Sequence, residues 1–487
     1  MGYGMVKCKY TNCNNEEIDA MKKQRMIIIT IILGTLVISM LGTWLVEAQE
    51  FDEFMYLPAI SKPLPTPTFT PTPTPSPTPT VLPQPDAEFR GLWVTRFDWT
   101  AWDGAHPEKI DEIVQNAADA GFNVLFFQIR GEGDAYYDSG LEPWAKRISG
   151  YYGELGQPPS SEWDDLGEPL DYMIEKAHDA GLQVHAYLNV YPVASCSTIP
   201  DAAVIPTPIY HQLIAEHGTT TDGEAEKVNG LQWLTDGQVY CSGDQYLWAS
   251  PASEFHDDHV IAVAKDIANR YEIDGLHLDR IRYAHSFGSC DPVSLAETGE
   301  CFGTPPDGYD SYEDWQRAQV SDIVARFYDE VLTEYPDLWL SAAVWPVHKK
   351  KAEWGWTEYY QEGFSSYYQD SKAWLTDNKI DSLSPMIYPG STSVCPDDNI
   401  YWTQERFGIL VADFEAENNG RYIIPGIGGH YCSFYEIEAR IQIARDIGTA
   451  GHSIFSYRLL LDKAYFDDLA SGPYAETAVV PEMPWRP

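Results

Sequence analysis

Short apolar segments alternate with amphipathic segments along the chain from Phe89 onward. The apolar segments are continuously hydrophobic, as in VLFFQI at 124–129, which is typical of parallel strands buried on both faces. Several amphipathic segments end in Ala-Gly, which favours a left-handed helix C-cap. The predicted strands are Gly91–Arg96, Asn123–Arg130, Gln183–Val190, Gly275–Asp279, Leu338–Val344, Ser382–Tyr388, Tyr422–Gly426 and Ser453–Tyr457.

Eight strands that are each followed by a helical segment predict an α/β fold, a (β/α)₈ TIM barrel over residues 88–470 with a tail at 471–487. A doubly wound open sheet is the alternative, but the glycine-rich phosphate loops that often accompany it are missing. The longest loops, 131–168, 191–253 and 280–314, follow the second, third and fourth strands. They therefore belong to the C-terminal face of the barrel, where active sites are built.

The N-terminal part carries an uncharged apolar segment at 26–46. As a helix it would be about 31 Å long, enough to cross a bilayer. Lys22, Lys23 and Arg25 precede it, so the tail 1–25 is expected in the cytoplasm and the rest outside. A signal anchor and a cleaved signal peptide both remain open, and either one predicts an extracellular or cell-surface protein. A Pro/Thr-rich linker at 58–86 follows, and a stiff polyproline II stalk is expected there.

Composition narrows the classes of partner. The chain has 32 Lys and Arg against 73 Asp and Glu, a net charge of −41. This excess of negative charge argues against nucleic acid and disfavours anionic lipid and other polyanions as partners. Hydrophobic residues make up 44% of the chain, with 16 Trp and 31 Tyr, which excludes a disordered protein and suits one that contacts sugar rings.

Six cysteines follow the apolar segment, and an even number in an exported domain suggests disulfides. They allow about fifteen connectivities, of which nearness along the chain favours Cys196–Cys241, Cys290–Cys301 and Cys395–Cys432. None has C-x-x-C spacing, so no zinc site is predicted, and nothing in the sequence requires another metal or a cofactor.

Carboxylates at the predicted strand ends are the candidates for catalysis. Asp279 ends the fourth strand in DGLHLDRIRY, with His277 on the same side of the strand, although a pairing with Arg280 or Arg282 would be the structural alternative. Asp134 and Glu132, in RGEGDAYY, are candidates for a second carboxyl group. Glycoside hydrolysis needs two carboxyl groups that flank the acetal, one as acid and one as base or nucleophile.

The same strand ends carry donors and flat rings that suit sugar hydroxyls and sugar faces. Asp98 is a further acid, and His185 is a candidate acid–base group or a core histidine. Arg130 is a candidate substrate clamp or a group that lowers the pKa of a neighbouring carboxyl, and a structural salt bridge is the alternative. The complete predicted substrate-binding set is Asp98, Arg130, His185, Asn189, Tyr191, Trp345, Tyr388 and Tyr457.

Seven segments of the chain have a recognisable pattern, namely FRGLWVTRFDW, NVLFFQIRGEGDAYYDSGLEPWAKRISG, HAYLNVY, LWASPASEFHDDH, DGLHLDRIRY, SPMIYPG and GHSIFSYRLL. Together they resemble the glycosyl hydrolase-like 10 family of bacterial envelope proteins. The resemblance covers nearly all of Phe89–Asp468 and implies a barrel that acts on glycan, including cell-wall glycan strands freed of peptides. Its matching polar positions are Asp98, Arg130, Asp134, His185, Asn189, Asp279 and Tyr388.

The chain departs from the family pattern at three places. Glu132 replaces a small residue, Arg280 replaces the second Asp that many members carry, and Val190 replaces the Pro of Asn-Pro-Tyr. The leading hypothesis is an exported glycoside hydrolase that cleaves a polysaccharide, such as a peptidoglycan-type strand, by a two-carboxylate mechanism. The alternative is a surface carbohydrate-binding barrel without turnover, which the absence of a second acid at position 280 would explain.

Overall fold

A computed structural model describes residues 87–150, 154–223, 225–390, 397 and 401–486. The predicted cytoplasmic tail 1–25, apolar segment 26–46 and linker 58–86 lie outside these residues, and so do Cys8, Cys13 and Cys395. Among the described residues, no helix combines the length and apolar character that a bilayer crossing needs.

The central sheet contains nine parallel strands. They are β1 Phe89–Val94, β2 Val124–Arg130, β3 Gln183–Asn189, β4 Gly275–Asp279, β5 Trp339–Val344, β6 Ser382–Pro385, β7 Tyr422–Ile423, β8 Gly426–Gly428 and β9 Gly451–Phe455. The strands pair in the order β7-β6-β5-β4-β3-β2-β1-β9-β8. β7 and β8 are two parts of one predicted strand, because only two residues separate them. Met386, just after β6, pairs with Gly426, so the sheet closes on itself as an α/β barrel.

Amphipathic helices cover the outside of the barrel, as the sequence pattern predicts. Pro107–Ala120 ends at Gly121, whose φ of 89° is the predicted left-handed C-cap. The helix Tyr312–Arg326 continues into a π-turn at Phe327–Val331. The other helices of eight or more residues are Pro169–Asp179, Ile209–His217, Glu254–Arg270, Gln404–Glu415 and Phe434–Ile447. The shorter ones are Arg96–Trp99, Pro292–Thr298, Gly363–Ser366, Ser371–Thr376, Tyr457–Lys463 and Phe466–Ser471.

Side chains fill the interior of the barrel below its C-terminal face. Phe89, Trp93, Phe126, Tyr187 and Trp339 form a buried aromatic cluster there, while alternate residues such as Leu276 and Leu278 point outward into the main core under the helices. This alternation is what period-two strands impose. The barrel is therefore a packed core, and only its C-terminal mouth is open to a substrate.

The long loops at the C-terminal face carry small elements of their own. An antiparallel pair, Pro192–Ser195 with Tyr246–Trp248, stands in the loop after β3. Cys196 and Cys241 form a disulfide in that loop, and Cys290 and Cys301 form one in the loop after β4. Both pairings confirm the prediction, while Cys395 lies outside the described residues and leaves the third pairing a prediction. The remaining antiparallel pairs are Thr100–Ala101 with Gly104–Ala105 and Thr219–Asp222 with Ala225–Val228.

The C-terminal residues pack against the opposite end of the barrel. Trp485 Nε1 donates to Asp381 Oδ1 at 2.7 Å, and Arg486 Nη2 donates to Asp381 Oδ2 at 2.6 Å. Asp381 immediately precedes β6 and is fully buried. The segment predicted as a tail therefore belongs structurally to the barrel and shields a buried carboxylate.

Candidate active site

A cleft of about 490 Å³ opens at the C-terminal ends of the barrel strands. Its floor is formed by Trp93 and Tyr187, the uppermost rings of the interior aromatic cluster. Its walls are polar and aromatic, a combination that suits a sugar chain. The lining residues are Trp93, Thr95, Arg96, Phe97, Asp98, Gln128, Tyr187, Asn189, Tyr246, Asp279, Arg280, Arg282, Trp345, Met386, Tyr388, Gly390, Phe455, Ser456, Arg458 and Leu459.

Asp279 stands in the cleft at the last position of β4, where the sequence predicts it. Tyr187 donates its hydroxyl to Asp279 Oδ2 at 2.7 Å, and the backbone N–H of Arg280 donates to Oδ1 at 2.6 Å. Only 8% of the residue is exposed. Two donors on a nearly buried carboxylate fix its orientation.

Arg280 and the loop after β3 form one wall beside Asp279. The Arg280 guanidinium pairs with Asp244 and lies 4.0 Å from Asp279 Oδ2. Tyr246, two residues after Asp244, accepts a hydrogen bond from Arg96 Nη2 at 2.5 Å. The long loop after the third strand therefore closes over the end of β4, and charged pairs hold it there.

Glu132 and Asp134 line a neighbouring pocket of about 200 Å³. Burial, together with the nearby Asp134 charge, raises the pKa of Glu132 to about 7. Burial also raises the pKa of Asp134, which accepts the Glu132 backbone N–H at 2.8 Å. The Glu132 side chain is 27% exposed, whereas Asp134 is buried, so Glu132 is the member of the pair that faces solvent.

The strand order relates this acid pair to Asp279. β2 and β4 both flank β3, so their ends are two strand spacings apart, about 10 Å. Asn189, at the end of β3, lies in register with Asp279 and donates its side-chain amide to the Gly131 carbonyl at 2.9 Å. Glu132, two residues beyond the end of β2, and Asp279, at the end of β4, thus lie on either side of Asn189 at the C-terminal face, but Glu132 lines the neighbouring pocket and Asp279 lines the cleft.

Asp98 also lines the cleft, as a half-buried side chain. Its Oδ2 accepts from the Thr95 backbone N–H at 2.5 Å and from the Thr95 hydroxyl at 2.8 Å. Burial raises the pKa of Asp98 to about 6 in spite of these two donors. The side chain therefore closes the first turn of helix Arg96–Trp99 while it faces the cleft.

Two predicted aromatic residues stand on the cleft wall. Trp345, just after β5, is fixed by a hydrogen bond from its Nε1 to the Gln361 carbonyl at 2.8 Å. Tyr388 stacks on Phe455 with ring centroids 5.2 Å apart and an interplanar angle of 6°. Both rings are half-buried, so one part of each remains available to a ligand.

Arg130 does not line the cleft, which corrects its prediction as a substrate clamp. A β-bulge between Gln128 and Arg130 adds a residue, so Gln128 pairs with inward-facing Tyr187 but Arg130 pairs with outward-facing Leu188. The Arg130 side chain therefore points away from the barrel interior and is fully buried on the outer face of the sheet. There its Nε and Nη2 donate to Glu142 at 2.9 and 2.7 Å.

His185 lies deeper in the barrel than the cleft, which corrects its prediction as a binding residue. It is fully buried between Phe89 and Phe126, at ring-centroid distances of 5.8 and 5.7 Å. Burial lowers its pKa to about 3, and neither ring nitrogen has a hydrogen-bond partner within the described segments. The core-histidine alternative matches this position.

The two predicted tyrosines at 191 and 457 are likewise absent from the cleft lining. Tyr191 is fully buried and stacks on His256, with ring centroids 5.4 Å apart. Tyr457 opens helix Tyr457–Lys463, and its hydroxyl accepts from Asn116 at 2.9 Å, on a helix outside the barrel. Each ring therefore packs elements together instead of facing a ligand.

Most of the residues that line the cleft were not selected from the sequence as site residues, and Tyr246, Arg96 and Arg282 are among them. Tyr246 arrives from the middle of a long loop, where no periodicity marks it. Arg96 and Arg282 follow strand ends, and that position was the only available signal.

One group of potential metal ligands lies elsewhere. Among the described residues, His106, Glu108 and Glu162 have ligand atoms within 4.8 Å of one another, but they do not line the cleft.

Comparison with known proteins gives a consistent picture. The sequence profile of the family described as "Glycosyl hydrolase-like 10" matches residues 88–400. Glycosyl hydrolase YngK of Bacillus subtilis (strain 168) is 22% identical over 425 residues, which cover 82% of this chain and 75% of the relative. Glycosyl hydrolase DigH of Escherichia coli (strain K12) is 24% identical over 324 residues, 63% of this chain and 66% of the relative.

A solved structure with a similar fold is the glycoside hydrolase domain of PgaB (BpsB) from Bordetella bronchiseptica. The TM-score is 0.51 at 14% sequence identity, and the match covers 78% of this chain and 98% of that domain. At this identity the similarity shows the barrel fold alone.

Proposed function

Because this chain belongs to the glycosyl hydrolase-like 10 family, we propose that it hydrolyses glycosidic bonds within a polysaccharide bound in the C-terminal cleft. The observation that carries the proposal is Asp279, a carboxylate held by two donors on the floor side of a cleft walled by aromatic rings. Such a group can act as the nucleophile or as the base that activates water.

The second group must be protonated at neutral pH and must reach the leaving oxygen. Glu132 meets the first requirement, since burial and Asp134 raise its pKa to about 7. It is also partly exposed, unlike Asp134, and it lies on the same rim as Asp279. Glu132 is therefore the proposed general acid, with Asp134 as the neighbour that keeps it protonated.

Arg96 lies beside Glu132 and contributes a positive charge to the site. It lines the cleft, and its Nη2 lies 4.0 Å from Glu132 Oε1. Its charge stabilises the carboxylate that Glu132 becomes after it gives up its proton. Substrate rings would meanwhile stack on Trp345 and Tyr388.

The test is release of reducing ends from peptide-free cell-wall glycan strands, β-glucans and acidic glycans by the purified full chain. Asp279→Asn should abolish release and leave the fold unchanged by circular dichroism. Asp119→Asn, an exposed aspartate on helix Pro107–Ala120, is the matched control and should retain full activity. Full activity of Asp279→Asn would remove Asp279 from the mechanism.

Arg280 at the position of the family's second Asp favours one competing function, a carbohydrate-binding barrel without turnover. Tight binding of a glycan in calorimetry, with no product after prolonged incubation, would replace hydrolysis by that function. Location at the cell surface, through the segment 26–46, stays a prediction that fractionation of cells would test.

A further inference from the structure

The cleft carries a positive charge on a strongly acidic protein. Four arginines and two aspartates line it, namely Arg96, Arg280, Arg282 and Arg458 against Asp98 and Asp279. The whole chain has a net charge of −41, so the cleft has the opposite sign to the average surface. A local reversal of this kind concentrates anions at the site while the rest of the protein repels them.

Three of these arginines have side-chain partners. Arg280 pairs with Asp244, Arg458 pairs with Asp462 at 2.9 Å, and Arg96 donates to Tyr246. Arg282 differs from them, because its one hydrogen bond within the described parts of the chain goes from Nη1 to the Tyr283 backbone carbonyl at 3.3 Å. Within those parts, no carboxylate oxygen lies within 4.0 Å of its guanidinium, and its Nε is buried without a hydrogen-bond partner.

Arg282 is held in place by aromatic rings instead of acids. Its guanidinium carbon lies 5.2 Å from the ring centroid of Trp248, 5.4 Å from that of Trp345 and 4.8 Å from that of Tyr367. Only 8% of the residue is exposed. Burial and the like charge of Arg280 lower the pKa of Arg282, yet an arginine stays charged in proteins.

A buried cation without a counter-ion is unfavourable unless a ligand completes it. Arg282 lines the cleft beside Asp279 and Arg280, so a ligand in the cleft can reach it. The ligand that this arrangement recognises is an oxyanion, since a guanidinium donates two parallel hydrogen bonds to a carboxylate or a sulfate. This selectivity was not predictable from the net charge, which by itself disfavours polyanions.

We propose that Arg282, assisted by Arg280, is an anion-recognition subsite, and that the glycan bound in the cleft carries acidic groups, carboxylate or sulfate, next to the bond at Asp279. This inference rests on the proposed function for the position of the bond but not for the binding itself. It also assigns a part to Arg280, which replaces an acid of the family with a base.

The test measures binding and cleavage separately on the full chain. Tryptophan fluorescence would follow binding, because Arg282 contacts Trp248 and Trp345. The probes are two matched pairs, polygalacturonate with its carboxyl-reduced form and dextran sulfate with dextran. Binding would be measured with Asp279→Asn present in every protein that is compared. The probes are then not hydrolysed, and the loss of the Asp279 charge affects all measurements equally.

We expect the acidic member of at least one pair to bind about tenfold more tightly or better than its neutral counterpart. The probe pair that shows this difference in affinity identifies the acidic group of the glycan as a carboxylate or a sulfate. Arg282→Gln should abolish this preference, Arg282→Lys should restore part of it, and Lys109→Gln, which removes an exposed charge on an outer helix, should leave it unchanged. Circular dichroism would verify that each variant is folded.

Equal affinity for acidic and neutral probes, or a preference that survives Arg282→Gln, overturns the inference. Cleavage of a neutral glycan with no preference for acidic ones also overturns it, while the proposed hydrolysis stands. Acid-selective binding that depends on Arg282, without cleavage of any glycan, has the reverse meaning: the subsite stands and the hydrolase does not.

Discussion

Replacing Arg130 by Met tests whether this arginine is structural. Arg130 and Glu142 are both fully buried and form a two-point contact, with Arg130 Nη2 at 2.7 Å and Nε at 2.9 Å from the carboxylate. Burial alone would raise the pKa of Glu142, but the Arg130 charge and a hydrogen bond from His259 lower it from 4.5 to about 2. At about 1.4 kcal/mol per pKa unit, the ionised pair contributes about 3 kcal/mol at neutral pH.

We therefore expect Arg130→Met to lower the free energy of unfolding by about 3 kcal/mol, within the range of about 3–5 kcal/mol for removing one partner of a buried pair. The unfolding entropy is about 2 cal/mol/K per residue, and the compact unit Leu82–Pro487 has about 400 residues. The melting temperature should then fall by about 4 °C. Differential scanning calorimetry at pH 7 measures both quantities.

The pH dependence has a definite sign. The folded pKa of Glu142 is depressed, so its contribution is present above the unfolded pKa near 4.5 and disappears as the pH falls towards about 2. The difference in stability between wild type and variant should shrink across that window. A constant difference down to pH 2 would mean that the lost energy is packing and not charge.

A double variant separates the pair from substrate binding. Adding Glu142→Leu to Arg130→Met removes the unpaired carboxylate and should recover much of the lost stability. Arg130 also donates to the Val190 carbonyl at 3.0 Å, next to Asn189 of the cleft, so a modest rise in KM is compatible with the reasoning. An unchanged melting temperature combined with a large rise in KM would refute it and return Arg130 to the substrate site.

Three further predictions concern single side chains. Tyr187→Phe removes the 2.7 Å hydrogen bond to Asp279, and kcat should fall about tenfold while the melting temperature holds; an unchanged kcat would show that the donor is dispensable. Glu132→Gln removes the proposed acid, whose pKa is raised to about 7, so wild-type kcat/KM should fall as the pH rises through 7. The variant should have a kcat at least about 100-fold lower, and its kcat/KM should not fall across this pH range. Arg486→Ala leaves the buried Asp381 short of a partner and should cost about 3 kcal/mol in urea unfolding, with kcat/KM unchanged; an effect on kcat/KM alone would contradict its remote position.

Hydrophobic periodicity was sufficient to predict the barrel and the approximate positions of its strands, although β1, β6 and β9 end at Val94, Pro385 and Phe455, earlier than predicted. Continuously apolar segments must be buried on both faces, and parallel strands between helices satisfy that requirement. The position of Asp279 followed directly, because the last residue of a strand in such a barrel meets the mouth. The break between β7 and β8 was not predictable, since Ile424 and Pro425 continue the apolar pattern. The Ile424 N–H still donates to the Leu383 carbonyl, and the Pro425 carbonyl still accepts from the Ser453 N–H.

The errors in the predicted site have a common physical origin. Strand alternation predicts that Arg130 lies on the same face of the sheet as Gln128. A bulge of one residue moves Arg130 to the opposite face, and no residue in VLFFQIR indicates that bulge. His185 was on the correct face at the wrong depth, because the sequence does not say how many layers of side chains fill the barrel. Tyr246 depends on how a loop of some fifty residues folds back, which is determined by tertiary contacts alone.

Arg280 connects the local backbone to the chemistry of the cleft. Its φ of 56° lies in the left-handed region, which is uncommon for a residue with a long side chain and more tolerable for Asp or Asn. This turn aims the Arg280 backbone N–H at Asp279 Oδ1 and, at the same time, sends the guanidinium towards Asp244. An aspartate would adopt the same turn at lower cost and hold the same N–H. An arginine at this strained position is therefore accounted for by its charge, which pairs with Asp244 and acts beside Asp279 and Arg282.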